Sequence, residues 1–168
     1  YQMKRKNIKQ TIGEYFFVNP NAKLRVREIE RTLKAPLPSV IRYCKELEKE
    51  SVLTTIKTGN VNFYTANRGS EKYHLEKKLY NIKKIYESGL IEYLRQELSN
   101  PSIVLFGSYA KGEDIESSDI DLYIETDMDS KKSSDAKIKA YIDMVKKLGE
   151  QKIDFVVHTN GEEFIPIE

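Results

Sequence analysis

Apolar and polar positions along this chain change their period several times, and each change predicts an element. Ile8, Ile12, Tyr15 and Phe16 recur at helical spacing until Asn19-Pro20-Asn21, where a proline between two turn-forming residues stops the helix. Leu24 and Val26 form a short extended piece, and a second helix follows around Arg27 to Leu33, closed by Ala35-Pro36. Leu37-Pro38-Ser39 opens a third helix with Val40, Ile41, Cys44 and Leu47 on one face. Proline suits a first helical turn because the amide it lacks has no helical partner there. The period then drops to two: Leu53 to Lys57 and Val61 to Thr65 alternate on either side of Thr58-Gly59-Asn60, the pattern of a hairpin.

From Ser70 to Leu98 the rhythm returns to three and four. Leu75, Leu79, Ile82, Tyr86, Leu90, Leu94 and Leu98 form a stripe, with Lys and Glu on the other faces. Ser88-Gly89 interrupts it, so one bent helix or two successive helices fit equally. Packing against a sheet is the expected use of the stripe, and dimerisation is the other. Tyr73, Tyr80, Tyr86 and Tyr93 are expected to pack on helix faces. Two short apolar runs come next, Ile103 to Phe106 and Ile120 to Ile124, with a loop between them. Thr126 to Ser134 is polar, Ala136, Ile138, Ile142, Val145 and Leu148 predict a helix ended by Gly149, and Lys152 to Val157 predicts a third strand.

The predicted fold class is therefore α+β in two domains, with residues 1–67 as a small helical domain ending in a hairpin, 68–99 as connecting helix or helices, and 100–168 as a mixed β-sheet flanked by helices. Charge divides the chain in the same way. Residues 1–67 hold 13 Lys/Arg against 6 Asp/Glu, while residues 101–168 hold 8 against 15, although the net charge of the whole is only +2. A basic front suits nucleic acid, and an acidic back suits cations with nucleotide. No long apolar segment predicts a membrane span and no signal-peptide pattern is present; Cys44 is alone, which fits a reducing cytoplasm. The two histidines, His74 and His158, are far apart and no Cys/His cluster has zinc-ligand spacing; His158 is expected to be an ordinary strand-end residue.

The chemistry concentrates between Ile103 and Glu125. Asp119 and Asp121 flank Ile120, so strand alternation points both to one face, and two carboxylates that close are costly unless a cation lies between them. Gly107 allows a tight turn and close approach of a ligand, and Ser108 with the amides after it offers hydrogen bonds to phosphate oxygens. Asp154 is the single carboxylate in an otherwise apolar run, expensive to bury without a cation or donor, and is thus the best third acid. Divalent ions held by carboxylates and substrate phosphates are the usual agents of phosphoryl and nucleotidyl transfer. Glu113, Asp114 and Glu116 are expected at the loop surface, and Lys131-Lys132 as a solvated charge pair.

Gly107-Ser108 followed by Asp119-Ile120-Asp121 resembles the signature of the DNA polymerase beta-like nucleotidyltransferase superfamily. Gly-Ser-Tyr-Ala-Lys-Gly with Ser-Asp-Ile-Asp-Leu is most similar to the minimal nucleotidyltransferases of archaea and bacteria. Carried over to this chain, the resemblance implies that Asp119 and Asp121 bind Mg2+ or Mn2+. It makes Asp154 the residue that completes the metal site and receives or orients the acceptor hydroxyl's proton. It also implies that Gly107 and Ser108 hold the triphosphate, and that Lys111 balances its charge, with Gly112 allowing approach.

The implied reaction moves a nucleoside monophosphate, with ATP as the first-choice donor, to a hydroxyl. The acceptor implied is a tyrosine of a helical toxin-like partner, a protein AMPylation of toxin-antitoxin type, or a small molecule, as in aminoglycoside-type enzymes. Minimal enzymes often carry Arg where this chain has Tyr109, which leaves Lys111 to suffice. The chain runs only to Glu168 after the third strand, so the acceptor is expected from a partner or in an exposed cleft.

The first 67 residues resemble a winged helix-turn-helix domain. That resemblance implies a third helix in the major groove of double-stranded DNA and a hairpin wing, with Ser39, Arg42 and Lys45 as helix contacts and Lys57 and Asn60 as wing contacts. It also implies a homodimer reading two half-sites. The alternative to an autoregulated enzyme is a DNA-binding regulator whose second domain senses nucleotide without turnover.

Overall fold

The computed structural model describes residues 7–98, 100–127 and 153–159, together with Lys132, Asp135 and Lys139. The chain is a mixed α and β protein that divides into two compact units, Tyr1–Tyr80 and Asn81–Glu168. Lys139 is helical, and the rest of the helix expected over Ala136 to Leu148 and the tail from Phe164 to Glu168 lie outside the described residues.

In the first unit, α1 (Ile8–Val18), α2 (Val26–Leu33) and α3 (Leu37–Lys49) precede a hairpin of β1 (Leu53–Thr58) and β2 (Val61–Ala66). Helix α1 stops where Asn19 gives both its backbone N–H and its Nδ2 to the Tyr15 carbonyl, removing a free helix end. Helix α2 begins with a capping box: Arg25 N–H donates to Glu28 Oε2 at 2.7 Å, and the guanidinium reaches the same carboxylate at 3.1 Å. This cap and the Arg25 charge hold the Glu28 carboxyl below its usual range.

The hairpin pairs antiparallel from Leu53↔Ala66 to Thr58↔Val61, with Gly59 at φ +60° in the turn. Leu24 bridges Tyr64 through two backbone hydrogen bonds of 3.0 and 2.8 Å, which ties the segment before α2 to the hairpin. Ile12, Phe16, Ile29, Val40, Cys44 and Leu47 are buried between these elements. Ile41, expected on the inner face of α3, is instead 37% exposed. One residue beyond Val40 on a helix is about 100° away from it, outside the narrow arc that touches α1 and α2.

The segment from 70 to 98 is two helices. Helix α4 (Glu71–Glu87) ends at Ser88, whose hydroxyl donates to the Ile85 carbonyl at 2.6 Å and accepts from Leu90 N–H at 3.2 Å; Gly89 takes φ +81° before α5 (Leu90–Glu97). The stripe read from the sequence holds along α5, where Leu90, Leu94 and Leu98 are all buried.

Along α4 it does not hold: Leu75, Leu79 and Tyr86 are 51, 55 and 60% exposed, and the buried side is Tyr73, Lys77, Asn81 and Ile85. These follow one another at four-residue steps, but two are polar, so a rule that counts apolar positions selects the wrong face. Tyr73 belongs to the first unit's core, its hydroxyl donating to the Phe16 carbonyl at 3.0 Å, and Phe17 packs against both Tyr73 and Tyr80.

In the second unit β3 (Ser102–Phe106), α6 (Gly107–Lys111), β4 (Ile120–Thr126) and β5 (Ile153–Thr159) follow. The sheet order is β3-β4-β5, antiparallel between the first two and parallel between the last two. Along β4 the burial alternates, Ile120, Leu122, Ile124 and Thr126 inward and Asp121, Tyr123 and Glu125 outward. The inward side chains and Ile153 share a core with Leu90, Leu94 and Leu98. One sheet face therefore rests on a helix, and the face holding Asp121 also shows Val104, Phe106 and Val156 at 51, 36 and 38% exposure.

Candidate functional site

Strand β4 is central, and its second residue, Asp121, has two register partners: Phe106 on β3 and Asp154 on β5. Residues directly opposite across neighbouring strands share a face and lie about 5 Å apart. Asp121 and Asp154 therefore stand side by side, both half-buried. Asp119 precedes β4 by one residue, just after a turn in which Ile115 N–H donates to Ser118 Oγ at 2.9 Å and Ser118 N–H to the Ile115 carbonyl at 3.0 Å. That turn fixes where the chain enters the strand.

Gly107 begins directly after Phe106 with φ +71°. A Cβ placed on it would lie 3.2 Å from Asp121 Cγ and 3.5 Å from Asp121 Cβ, with Oδ2 closer still. The turn thus passes hard against the carboxylate, and only a residue without a side chain fits. Gly107 and Ser108 are half-buried beside the acids. Lys111 is exposed in the last turn of α6, and Gly112 caps that helix at φ +73°, its N–H directed to the Ser108 and Tyr109 carbonyls.

Asp119, Asp121, Asp154, Gly107 and Ser108 are thereby gathered at one end of the sheet. The donor set is all carboxylate, with neither thiolate nor imidazole, which suits a hard divalent cation such as Mg2+ or Mn2+. Among the described residues no three Asp, Glu, His or Cys side chains meet as a metal-ligand group.

Two surrounding residues are buried, the second of them against expectation. Tyr109 is 3% exposed and packs in the core with Leu94 and Leu122, so this position faces away from the acids. Asp114, expected at the loop surface, is 4% exposed and accepts a hydrogen bond of 2.8 Å from Asn81 Nδ2. Its donor is 33 residues away in sequence, and no local pattern announces a pairing of that span.

The first unit holds a second concave feature, a groove of about 650 Å3 between the start of α2, α3 and the hairpin. Lys45 and Asn60 line it, joined by Arg25, Arg27, Arg31 and Asn62; Ser39, Arg42 and Lys57 lie elsewhere. Two acids on its wall are engaged, Glu28 with Arg25 and Glu48 by the Thr55 hydroxyl. Among the described residues Arg27, Arg31 and Lys45 make no ion pair. Arg42 is occupied on its own helix, 4.4 Å over the Tyr43 ring and 4.0 Å from Glu46. Arg27, Arg31 and Asn62 were not legible as candidates because they come from different elements that only folding brings to one cleft.

Carboxylates beside a glycine turn are the residue types that suit phosphate esters and the cations that accompany them. The family comparison agrees: residues 87–168 match the family model described as a nucleotidyltransferase domain. This part of the chain is thus similar to nucleotidyltransferase domains. No curated protein and no solved structure matches the chain. No helix among the described residues is long and apolar enough to cross a membrane.

Proposed function

We propose that the second unit transfers a nucleoside monophosphate from a nucleoside triphosphate, ATP first, to a hydroxyl acceptor. The observation that carries this reading is the register pairing of Asp121 with Asp154 beside Gly107. The acceptor oxygen bonds the α-phosphorus, the bond from that phosphorus to the bridging oxygen breaks, and pyrophosphate leaves. Asp154 takes or orients the proton of the acceptor hydroxyl. Gly107 and Ser108 receive the triphosphate, and Lys111, with Gly112 beside it, supplies positive charge near the leaving group. Asp119, Asp121 and Asp154 would hold the divalent ions, which when bound neutralise charge on the phosphates and activate the acceptor oxygen.

Resemblance to the minimal enzymes favours a protein acceptor, a tyrosine of a helical toxin-like partner, over a small molecule. The deciding experiment follows label from α-labelled ATP with Mg2+ into the protein itself and into a candidate partner, for wild type and for Asp119→Asn with Asp121→Asn. Labelling that falls by roughly a hundredfold or more without the carboxylates supports the reading. No transfer from any of the four nucleotides with either Mg2+ or Mn2+ would remove it.

A second reading has its own observation. The order of three helices and a hairpin, the Leu24 to Tyr64 bridge and the basic groove support a winged helix-turn-helix that binds double-stranded DNA; the homodimer comes from the resemblance alone. It would give autoregulation of an enzyme, or a regulator whose second unit senses nucleotide without turnover. Nucleotide binding and DNA retardation without label transfer would select the regulator.

A further inference from the structure

The loop that carries Ser108 at its start and Asp119 at its end is held to helix α4 through a buried amide, that of Asn81. Asn81 and Asp114 are 2 and 4% exposed. Asn81 Nδ2 donates to the Tyr109 carbonyl at 2.9 Å and to Asp114 Oδ1 at 2.8 Å. An amide nitrogen has two hydrogens, so one can serve each acceptor. The acceptors lie in opposite halves of the loop: Tyr109 follows Ser108 directly, whereas Asp114 lies past Gly112 on the way to Asp119.

Both ends of this fastening are fixed. Ile85, one helical turn beyond Asn81, is in the core, and so is the Tyr109 ring. Within the loop Glu113 N–H bonds the Ser108 carbonyl at 3.0 Å, and the Ile115–Ser118 turn closes the remainder. A buried polar pair can often be replaced by apolar groups of similar volume without loss of stability. What such a replacement removes here is the common anchor of the turn beside Asp121 and of the segment leading to Asp119.

We propose that Asn81 and Asp114 are positioning residues for the nucleotide site: the two hydrogen bonds from one amide set the separation between the Gly107-Ser108 turn and the Asp119-Asp121 carboxylates. The proposal rests on the nucleotidyltransferase reading above. It assigns to α4 a part in nucleotide binding that neither residue could play by touching the ligand.

The test uses the full chain, Mg2+ and a non-hydrolysable ATP analogue, with Kd measured well below each variant's melting temperature and amide exchange followed over residues 107–113. Asn81→Leu keeps volume and removes the donor; it is expected to weaken binding about tenfold or more and to speed exchange in that segment. Asp114→Asn keeps an acceptor oxygen for the Asn81 amide and is expected to stay within about threefold of wild type. If Asn81→Leu does not fold, Asn81→Ser, too short to reach both acceptors, is expected to lose affinity in the same way.

A folded Asn81 variant with a lower melting temperature but wild-type Kd would overturn the positioning role alone. Equal losses in Asp114→Asn and Asn81→Leu would do the same, because charge rather than the hydrogen bond would then govern binding. A wild-type protein that binds no nucleotide would remove this proposal together with the reading beneath it.

Discussion

Gly107 lies against Asp121 so closely that the backbone of one and the carboxylate of the other leave no space for a methyl group. The contact follows from register: Phe106 pairs with Asp121, and the next residue must turn at φ +71° to leave the strand. Gly107→Ala is therefore expected to cost about 1–2 kcal/mol from the left-handed backbone and in addition to displace Asp121. Differential scanning calorimetry should show a lower melting temperature. Nucleotide transfer by the folded variant should fall further than its loss of folded protein accounts for; transfer at the wild-type rate would mean that the position of Asp121 is not critical.

The two halves of the apolar stripe are expected to respond oppositely to substitution. Leu94 is fully buried in the second unit's core, and Leu94→Ala should cost about 2–5 kcal/mol in urea unfolding. Leu79 is 55% exposed, and Leu79→Lys should stay within about 0.5 kcal/mol of wild type. A large loss at Leu79 would mean that α4 is covered by a partner in solution.

Alkaline pH should weaken the first unit. Burial, and secondly the Glu48 charge, push the Cys44 thiol from 9.0 up to about 12. Between those values the unfolded chain gives up a proton that the folded chain keeps, so stability falls as pH rises through that interval. Lys9, held by Glu50 at 2.6 Å, has a raised pKa; its contribution is complete below 10.5 and is lost as pH rises through the folded value. Chemical denaturation from pH 8 to 11 should show this decline, and Cys44→Ala should make it shallower. At pH 8 a thiol reagent should modify Cys44 only after unfolding.

If the groove of the first unit binds DNA, its exposed cations should set the salt dependence. Arg31→Ala and Lys45→Ala are each expected to weaken retardation of duplex DNA and to lower the slope of log K against log salt by about 0.9. Arg42→Ala should change little, because its guanidinium lies over Tyr43 and near Glu46. An Arg42→Ala effect larger than both would move the interface to the outer face of α3.

The order of elements was legible in the sequence because each rests on local interactions. Pro38 in a first turn, Gly59 in a hairpin, Ser88-Gly89 between helices and apolar alternation in β4 all act within a few residues of themselves. The same holds for Gly107-Ser108 and Asp119-Ile120-Asp121, whose spacing already suggested phosphate and cation chemistry.

Tertiary structure decided what depends on residues distant in the chain. It set Asp154 opposite Asp121 by parallel pairing and turned Tyr109 into the core. It also buried Asp114 under Asn81, and collected Arg27, Arg31, Lys45 and Asn62 around one cleft. The buried side of α4 is the clearest instance. Hydrophobicity alone selects Leu75, Leu79 and Tyr86, yet the fold buries Lys77 and Asn81 and leaves those three exposed. A polar side chain can be buried when its hydrogen-bond partners are supplied by other elements, as Asn81 shows, and periodicity along one helix carries no record of such partners.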